Sequence, residues 1–142
     1  MDAPVKNLKY DPNASPMLQF HERIPDFLND NDTPRAYLER CLETILSLEP
    51  SVAAWAYQNP AIARTAADAA TERYKKGQPL SLIDGCPMAV KDIIETADMP
   101  TQMNSAIYDG WQSVRDAACV QALRASGAVI VGKTVTTEFA TG

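Results

Sequence analysis

The sequence predicts an α/β fold in which helices cover a β-sheet. Amphipathic stretches alternate with short apolar runs in the order helix, strand, helix, strand, loop, helix, strand, and this order is typical of an α/β architecture. Late in the chain, a helical stretch is followed by Gly127 and a fully apolar run at 128–131, which indicates a step from a helix into a buried strand. The length of 142 residues suits one domain with its own core.

The first 32 residues are predicted to form a proline-rich arm. Prolines at positions 4, 12, 16 and 25 alternate with Asn and Asp, and proline fixes φ and removes a backbone donor. The arm is therefore expected to be extended or to act as a linker. Its apolar side chains leave two alternatives, an anchor on a partner surface or a short helix; they are Met17, Leu18, Phe20, Ile24, Phe27 and Leu28.

A helix is predicted over residues 34–48. Thr33 supplies a capping oxygen, and Pro34 suits the first helical position. Apolar residues follow at spacings of three and four and form one face; they are Leu38, Cys41, Leu42, Ile45 and Leu48. Pro50 is expected to end this helix, and the apolar run 52–57 predicts a strand.

Two further helices are predicted, over residues 60–76 and 116–126. The first is expected to end at Gly77, and its small residues would permit close approach to a neighbouring helix or sheet. The second is expected to be capped by Asp116. The predicted inward-facing residues are Ile62, Ala66, Ala69, Ala70 and Tyr74 in the first, and Ala117, Val120 and Leu123 in the second.

Lys91, inside an apolar run, is the first candidate functional residue. A bend at 85–87 precedes the run, and Asp92 follows the lysine. Ammonium groups are rarely buried unless paired, and burial lowers the pKa of a lysine until it can act as a base. Two interpretations stay open. Lys91 either reaches water from an edge strand or pairs with Asp92 or Asp84, or it is a catalytic base.

Composition argues against several classes of function. The chain has 13 basic and 18 acidic residues and no basic run, which argues against nucleic acid or a membrane surface as a partner. Three separated cysteines without a CxxC motif argue against a disulfide framework or a zinc site and favour the cytoplasm. The single histidine, His21, cannot form a histidine metal cluster and would have to serve any Ser-His-Asp centre. We expect neither a metal nor a cofactor.

Residues 127–134 satisfy the phosphate-loop pattern GxxxxGKT. In such a loop the backbone N–H groups curl around a phosphate and the lysine reaches its oxygens. The four intervening residues here are Ala, Val, Ile and Val, and β-branched side chains resist the curled conformation. Nucleotide binding at 127–134 is therefore only a minor alternative. Lys133 is expected to lie at a strand end and to donate to nearby carbonyls.

An ordered set of short motifs runs through residues 82–140. It comprises Gly85-Cys86-Pro87, Val90-Lys91-Asp92, the segment 96–101, Asp116-Ala117, Val120, Leu123-Arg124, Gly127-Ala128, Gly132-Lys133-Thr134 and Glu138-Phe139-Ala140. Together with the preceding helices, this set resembles the N-terminal part of the amidase signature family. The resemblance implies an incomplete amidase-signature fold, with helices packed on a mixed β-sheet over residues 33–142 and the arm at 1–32 outside the match.

That family hydrolyses carbon–nitrogen bonds of amides through a Ser–cis-Ser–Lys triad. The resemblance implies that Lys91 is the triad base, and we expect its apolar neighbours to desolvate it. It also implies that both serines belong to a Gly- and Ser-rich stretch past Gly142. Ser105 is not one of them, and it follows Asn104 where the family more often has glycine.

The expected function is therefore that of the N-terminal part of an amide hydrolase, inactive alone because the nucleophile and oxyanion donors are missing. The substrate of the complete enzyme would be a small-molecule amide. The alternative is a non-catalytic interaction module, or a split half that joins a complementary C-terminal portion.

Overall fold

The computed structural model describes residues 19–141. Their α-helices are α1 (Ile24–Leu28), α2 (Pro34–Val52), α3 (Pro60–Lys75) and α4 (Ala118–Ala125), and their strands are β1 (Trp55–Gln58), β2 (Pro87–Lys91) and β3 (Val129–Thr134). Short 3-10 turns occupy Phe20–Arg23, Ala106–Tyr108 and Glu138–Ala140. The predicted order of helices and strands from α2 to β3 is confirmed.

The three strands form a mixed sheet with β3 in the centre. β1 pairs with β3 in antiparallel fashion and β2 pairs with β3 in parallel. The parallel pair is connected through α4, as parallel strands require a long crossover. Because residues 129–134 are extended and pair with strands on both sides, they do not curl into a phosphate loop. The nucleotide-binding alternative thus lacks the backbone conformation that it needs.

Successive residues of β3 point into two separate apolar clusters. Val129 and Val131 pack with Leu38 of α2 and with Ala63 and Ala67 of α3. On the opposite face, Ile130 packs with Val90, Met99 and Val120. This alternation follows from the two-residue period of a strand. It explains the fully apolar sequence of β3, since helices or loops cover both of its faces.

Pro50 does not end α2, contrary to the prediction. The helix continues to Val52 and ends at Ala53, whose φ of 50° is left-handed and whose N–H donates to the Glu49 carbonyl at 2.9 Å. A proline near the end of a helix removes its own donor but leaves the later N–H groups in place. The Glu49 carboxylate also accepts the N–H of Trp55 at 3.0 Å, so the strand starts at Trp55 rather than at residue 52.

Two details of the other helices also differ from the prediction. On α3, Ala70 and Tyr74 are buried as predicted, but Ala69 is exposed while Ala63 and Ala67 are fully buried. Alanines occur on both faces, and their spacing does not decide between them. Asp116 does not cap α4. Its carboxylate accepts the N–H of Ala97 at 2.8 Å and pairs with Arg124 at 3.1 Å.

The predicted arm is described only in part, since residues 1–18 lie outside the described residues. The 3-10 turn Phe20–Arg23 leads into α1, and Phe27 of α1 is buried with its ring 5.3 Å from that of Tyr74. Of the two alternatives for the apolar side chains, the short helix is therefore confirmed for Ile24–Leu28. The division into an arm at 1–32 and a domain at 33–142 stays a prediction.

Glu39 should make the stability of the chain depend on pH in the acid range. Its carboxylate accepts hydrogen bonds from Arg64 and Arg35, which lower its pKa from 4.5 to about 2. Because the unfolded state binds the proton first, this contribution is present above about pH 4.5 and is lost as the pH falls towards 2. Between pH 6 and 2, the melting temperature of the Glu39→Gln protein should therefore fall less than the melting temperature of the starting protein.

Glu43→Gln is the matched control, since Glu43 is exposed on the same helix and makes no ion pair within the described range 19–141. Its melting curve should follow the starting protein at every pH. Parallel curves for Glu39→Gln and the starting protein would contradict the assignment.

Candidate active site

Lys91 lies at the carboxyl end of β2, and its side chain is exposed. Its neighbours Val90 and Asp92 are buried, because alternate residues of a strand face opposite sides. The prediction that apolar neighbours desolvate Lys91 is therefore wrong, because no part of residues 19–141 buries its side chain. Neither predicted ion pair forms, since Asp84 pairs with Arg73 at 2.6 Å and Asp92 pairs with another lysine.

That other lysine is Lys133 of β3, which is fully buried. Its ammonium donates to Thr101 Oγ1 at 2.6 Å and to the Pro100 carbonyl at 3.2 Å, and it lies 3.4 Å from Asp92 Oδ1. Burial lowers the pKa of the Lys133 ammonium, and the Asp92 carboxylate opposes that shift. The prediction that Lys133 donates to a nearby carbonyl is confirmed, but the lysine is far more buried than a strand end would suggest.

Asp92 fixes the backbone immediately after Lys91. Its N–H donates to the Thr134 carbonyl at 2.9 Å, and its own carbonyl accepts the N–H of Met103 at 3.0 Å. The carboxylate also accepts the N–H of Gln102, at 3.3 Å from each oxygen. Asp92 therefore holds the end of β2, the end of β3 and the 100–103 loop together, and it sets where Lys91 leaves the sheet.

Two strained turns adjoin this anchor. Met103 and Asn104 have φ of 55° and 50°, and Phe139 and Ala140 have φ of 51° and 58°. Residues other than glycine seldom adopt such left-handed values. They occur in turns and at helix ends, as at Asp30 and Ala53 of this chain, and they also cluster at functional sites. The Phe139 N–H donates to the Met103 carbonyl at 2.9 Å, so the turns support each other. The backbone at Asn104 also explains why glycine suits this position.

Ser105 makes a contact that joins two segments distant in sequence. Its hydroxyl is buried and donates to Glu138 Oε1 at 2.9 Å, which ties the 102–105 turn to the segment after β3. Beside this contact lies an open cavity of about 300 Å³; its lining residues are Gln102, Asn104, Ser105, Ala106 and Asp109.

An apolar surface borders the two turns. The ring of Tyr108 lies 6.0 Å from the rings of both Trp111 and Phe139. Phe139 is 43% exposed and Ile107 is 81% exposed. Exposed apolar side chains that cluster in this way mark a contact surface more often than scattered ones do.

Other kinds of site find no support among residues 19–141. No group of three or more His, Cys, Asp or Glu side chains in that range could hold a metal ion. His21 is exposed on the first 3-10 turn, and the three cysteines form no disulfide. None of the helices in the same range is long and apolar enough to cross a membrane.

Comparison with known proteins identifies the family. The Amidase family model matches residues 36–142. The chain belongs to the amidase family. A peptide amidase from Stenotrophomonas maltophilia superposes with a TM-score of 0.80 at 25% identity, over 87% of this chain and 26% of that one. A structure described as an amidase gives a TM-score of 0.74 at 29% identity, over 88% of this chain and 28% of that one.

Curated relatives of this amidase-family chain include components of an amidotransferase. A glutamyl-tRNA(Gln) amidotransferase subunit of Chloroflexus aggregans is 40% identical over 104 residues, which are 73% of this chain and 21% of the relative. The same subunit of Acidothermus cellulolyticus is 40% identical over 111 residues, or 78% and 21%. The chain thus spans about a fifth of the length of these relatives. The resemblance to the amidase signature family and the α/β fold are confirmed.

Lys91 is the single site residue that the sequence predicted, and its catalytic role stays a prediction. The Lys133–Asp92 pair and the two strained turns were not predicted from the sequence. The burial of Lys133 had a signal, because a central strand with a fully apolar start is covered on both faces. The only sequence signal for the strained turns was Asn104, at a position where the family more often has glycine.

Lys133→Met should lower the free energy of unfolding by about 3–5 kcal/mol, because it leaves the Asp92 carboxylate buried without its partner. Lys91→Met is the matched control: the same substitution at an exposed lysine of the neighbouring strand should change stability by less than about 0.5 kcal/mol. Urea denaturation of the two variants measures the difference.

A double variant tests whether the buried charge causes the loss. Asp92→Asn combined with Lys133→Met removes both charges, so it should lose less stability than the two single changes summed. Equal stability of the Lys133→Met and Lys91→Met proteins would contradict the buried pair.

Proposed function

We propose that this chain supplies the lysine of an amide-hydrolysing Ser–cis-Ser–Lys site, with Lys91 as the base. A neutral Lys91 takes a proton from a bridging serine, and that serine activates the nucleophilic serine that attacks the amide carbonyl. The observation that carries the proposal is the position of Lys91. It leaves the sheet at the carboxyl end of β2, beside an anchored carboxylate and two strained turns.

The proposal requires desolvation that residues 19–141 do not provide. A lysine becomes a base only when its charged form is disfavoured, and burial is the usual cause. Lys91 is exposed, while apolar surface around Ile107 and Phe139 borders the adjoining turns. A complementary portion of an amidase domain that packs on this surface would exclude water from Lys91 and would bring both serines.

The proposed substrate class is a small-molecule carboxamide, as the resemblance to the amidase signature family implies. On such a substrate, a serine nucleophile with a lysine base forms an acyl-enzyme and releases an amine or ammonia. The relatives are consistent with this class, since one is a peptide amidase and others are amidotransferase subunits. A non-catalytic interaction module remains the second candidate, favoured by the exposed apolar side chains at Ile107 and Phe139.

A chimera tests the role of Lys91. Residues 36–142 would replace the matching stretch of the Chloroflexus aggregans relative, and the amidotransferase activity of that relative in its enzyme would be assayed. The chimera should be active, and its Lys91→Met variant should lose about 10²–10⁴-fold in kcat because general-base catalysis contributes that much. Lys76→Met, at an exposed lysine after α3, is the control and should leave kcat unchanged.

An inactive starting chimera would favour the non-catalytic alternative, and an active Lys91→Met chimera would exclude Lys91 as the base. Circular dichroism and melting temperature of each protein show whether a loss of activity reflects a loss of folding.

The 142-residue chain by itself should not hydrolyse a simple amide such as p-nitroacetanilide. The hydroxyl of Ser105 donates a hydrogen bond to Glu138. We propose that neither serine of the triad is among the 142 residues. The assay measures nitroaniline release at high protein concentration. Turnover that disappears in the Lys91→Ala variant would show that the chain carries its own nucleophile.

A further inference from the structure

The outer side of α2 carries an apolar groove remote from Lys91. A cavity of about 430 Å³ is lined by Tyr37, Cys41 and Ile45 together with Arg23, Arg40 and Thr44. A second cavity of about 170 Å³ continues it past Leu48 and Val52 and shares Thr44 and Ile45 with the first. We call this surface the α2 groove; its α2 residues are Tyr37, Cys41, Thr44, Ile45, Leu48 and Val52.

The α2 groove is the uncovered half of a wide apolar face. Leu38 and Leu42 point into the core and are buried, whereas Leu48 and Val52 are 44% and 60% exposed. Residues spaced by three or four lie above one another on a helix, so the groove forms a continuous stripe along the helix axis. Within residues 19–141 nothing packs over the stripe at Leu48 and Val52.

The charges at the groove do not call for a charged occupant. Arg40 pairs with Asp32 and lies 5.5 Å above the ring of Tyr37, and Arg23 is 3.5 Å from Asp26. Both guanidinium groups are therefore already neutralised by acidic side chains of this chain. The occupant that fits is apolar and extended, and it needs little net charge.

The described chain begins at the near end of this groove. The ring of Phe20 lies 5.6 Å from that of Tyr37, and Arg23 lines the first cavity. The segment before Gln19 is thus joined to the chain close to Tyr37. The eighteen residues that precede Gln19 have three prolines and two acidic and two basic side chains. The larger apolar residues from position 8 onwards are Leu8, Tyr10, Met17 and Leu18.

The length of the N-terminal segment also matches the length of the α2 groove. A proline-containing segment in the extended polyproline conformation rises about 3.1 Å per residue, so residues 10–18 span about 25–28 Å. From Tyr37 to Val52, α2 rises about 1.5 Å per residue, or about 22 Å in all. Extended proline-containing segments also dock well in grooves with aromatic walls, because they lose little entropy on binding.

We propose that residues 8–18 of this chain dock in the α2 groove. Met17 and Leu18 lie against Tyr37 and Cys41, and Tyr10 lies towards Leu48 and Val52. The segment then covers the outer face of α2 as an intramolecular strap, and it shields the Cys41 thiol from solvent.

Thiol reactivity tests the proposal in the full chain. With Cys86→Ala and Cys119→Ser, Cys41 is the sole thiol among the chain's three cysteines. The paired change Met17→Glu and Leu18→Glu should raise the rate of Cys41 modification by an aromatic disulfide reagent about tenfold, which corresponds to about 1.4 kcal/mol of docking free energy. Thr44→Glu, made in the groove itself, should raise the rate as well.

The paired change Asn7→Glu and Asn13→Glu is the matched control. It adds the same charge at two polar positions, one just before residues 8–18 and one within them, and it should leave the rate unchanged. Melting temperatures should stay within a few degrees in every variant, so that global unfolding does not account for the reactivity.

A disulfide trap measures the proximity directly. Met17→Cys should form an intramolecular disulfide with Cys41 under mild oxidation, and Asn7→Cys should not. Unchanged Cys41 reactivity in both the Met17→Glu/Leu18→Glu and Thr44→Glu proteins would overturn the proposal. A disulfide that joins two chains, with protection that depends on concentration, would assign the groove to a second copy instead.

Discussion

Lys133 and Asp92 face each other at 3.4 Å in the interior of the protein, with both side chains almost fully buried. Placing two charges out of water is costly, and their attraction offsets that cost only when the remaining hydrogen bonds are made. Here Thr101 and Pro100 accept from the ammonium, and the Gln102 N–H donates to the carboxylate. Because these partners come from a loop, the ion pair fixes the loop to the central strand, and the Lys91 end of the sheet is organised around it.

The strand period decides which lysine is buried. In the parallel register Val90 lies beside Lys133 and Lys91 lies beside Thr134, so the lysines belong to neighbouring rungs of the ladder and have different surroundings. The sequence could identify both lysines as unusual, since each follows an apolar run. The fully apolar start of β3 indicated a covered strand, but it could not show that Lys133 rather than Lys91 is buried. That difference depends on the pairing of two strands far apart in the chain and on a loop that packs over Lys133.

The sequence predicted features that depend on neighbouring residues better than features that depend on distant ones. Local signals located α2, α3, β2 and β3, because capping residues, glycines and apolar spacing act over a few neighbouring residues. Three local predictions were wrong. Pro50 left the last turn of α2 intact, and Ala69 is exposed on α3, where alanines occupy both faces. The Asp116 carboxylate binds Ala97 and Arg124 instead of capping α4. The failure at Asp116 depended on partners distant in sequence, and the failure at Ala69 depended on a balance between equivalent faces. The failure at Pro50 was local, because a proline in the last turn removes only its own donor.

The strained turns connect the buried pair to the proposed chemistry. The left-handed conformations of Met103 and Phe139 are unfavourable for residues other than glycine. Contacts between segments distant in sequence must therefore stabilise these conformations. The Met103 N–H donates to Asp92, and the Met103 carbonyl accepts from Phe139. The turns consequently depend on the position of Asp92, which Lys133 fixes. The backbone that carries the exposed Lys91 is therefore held from the buried side of the sheet.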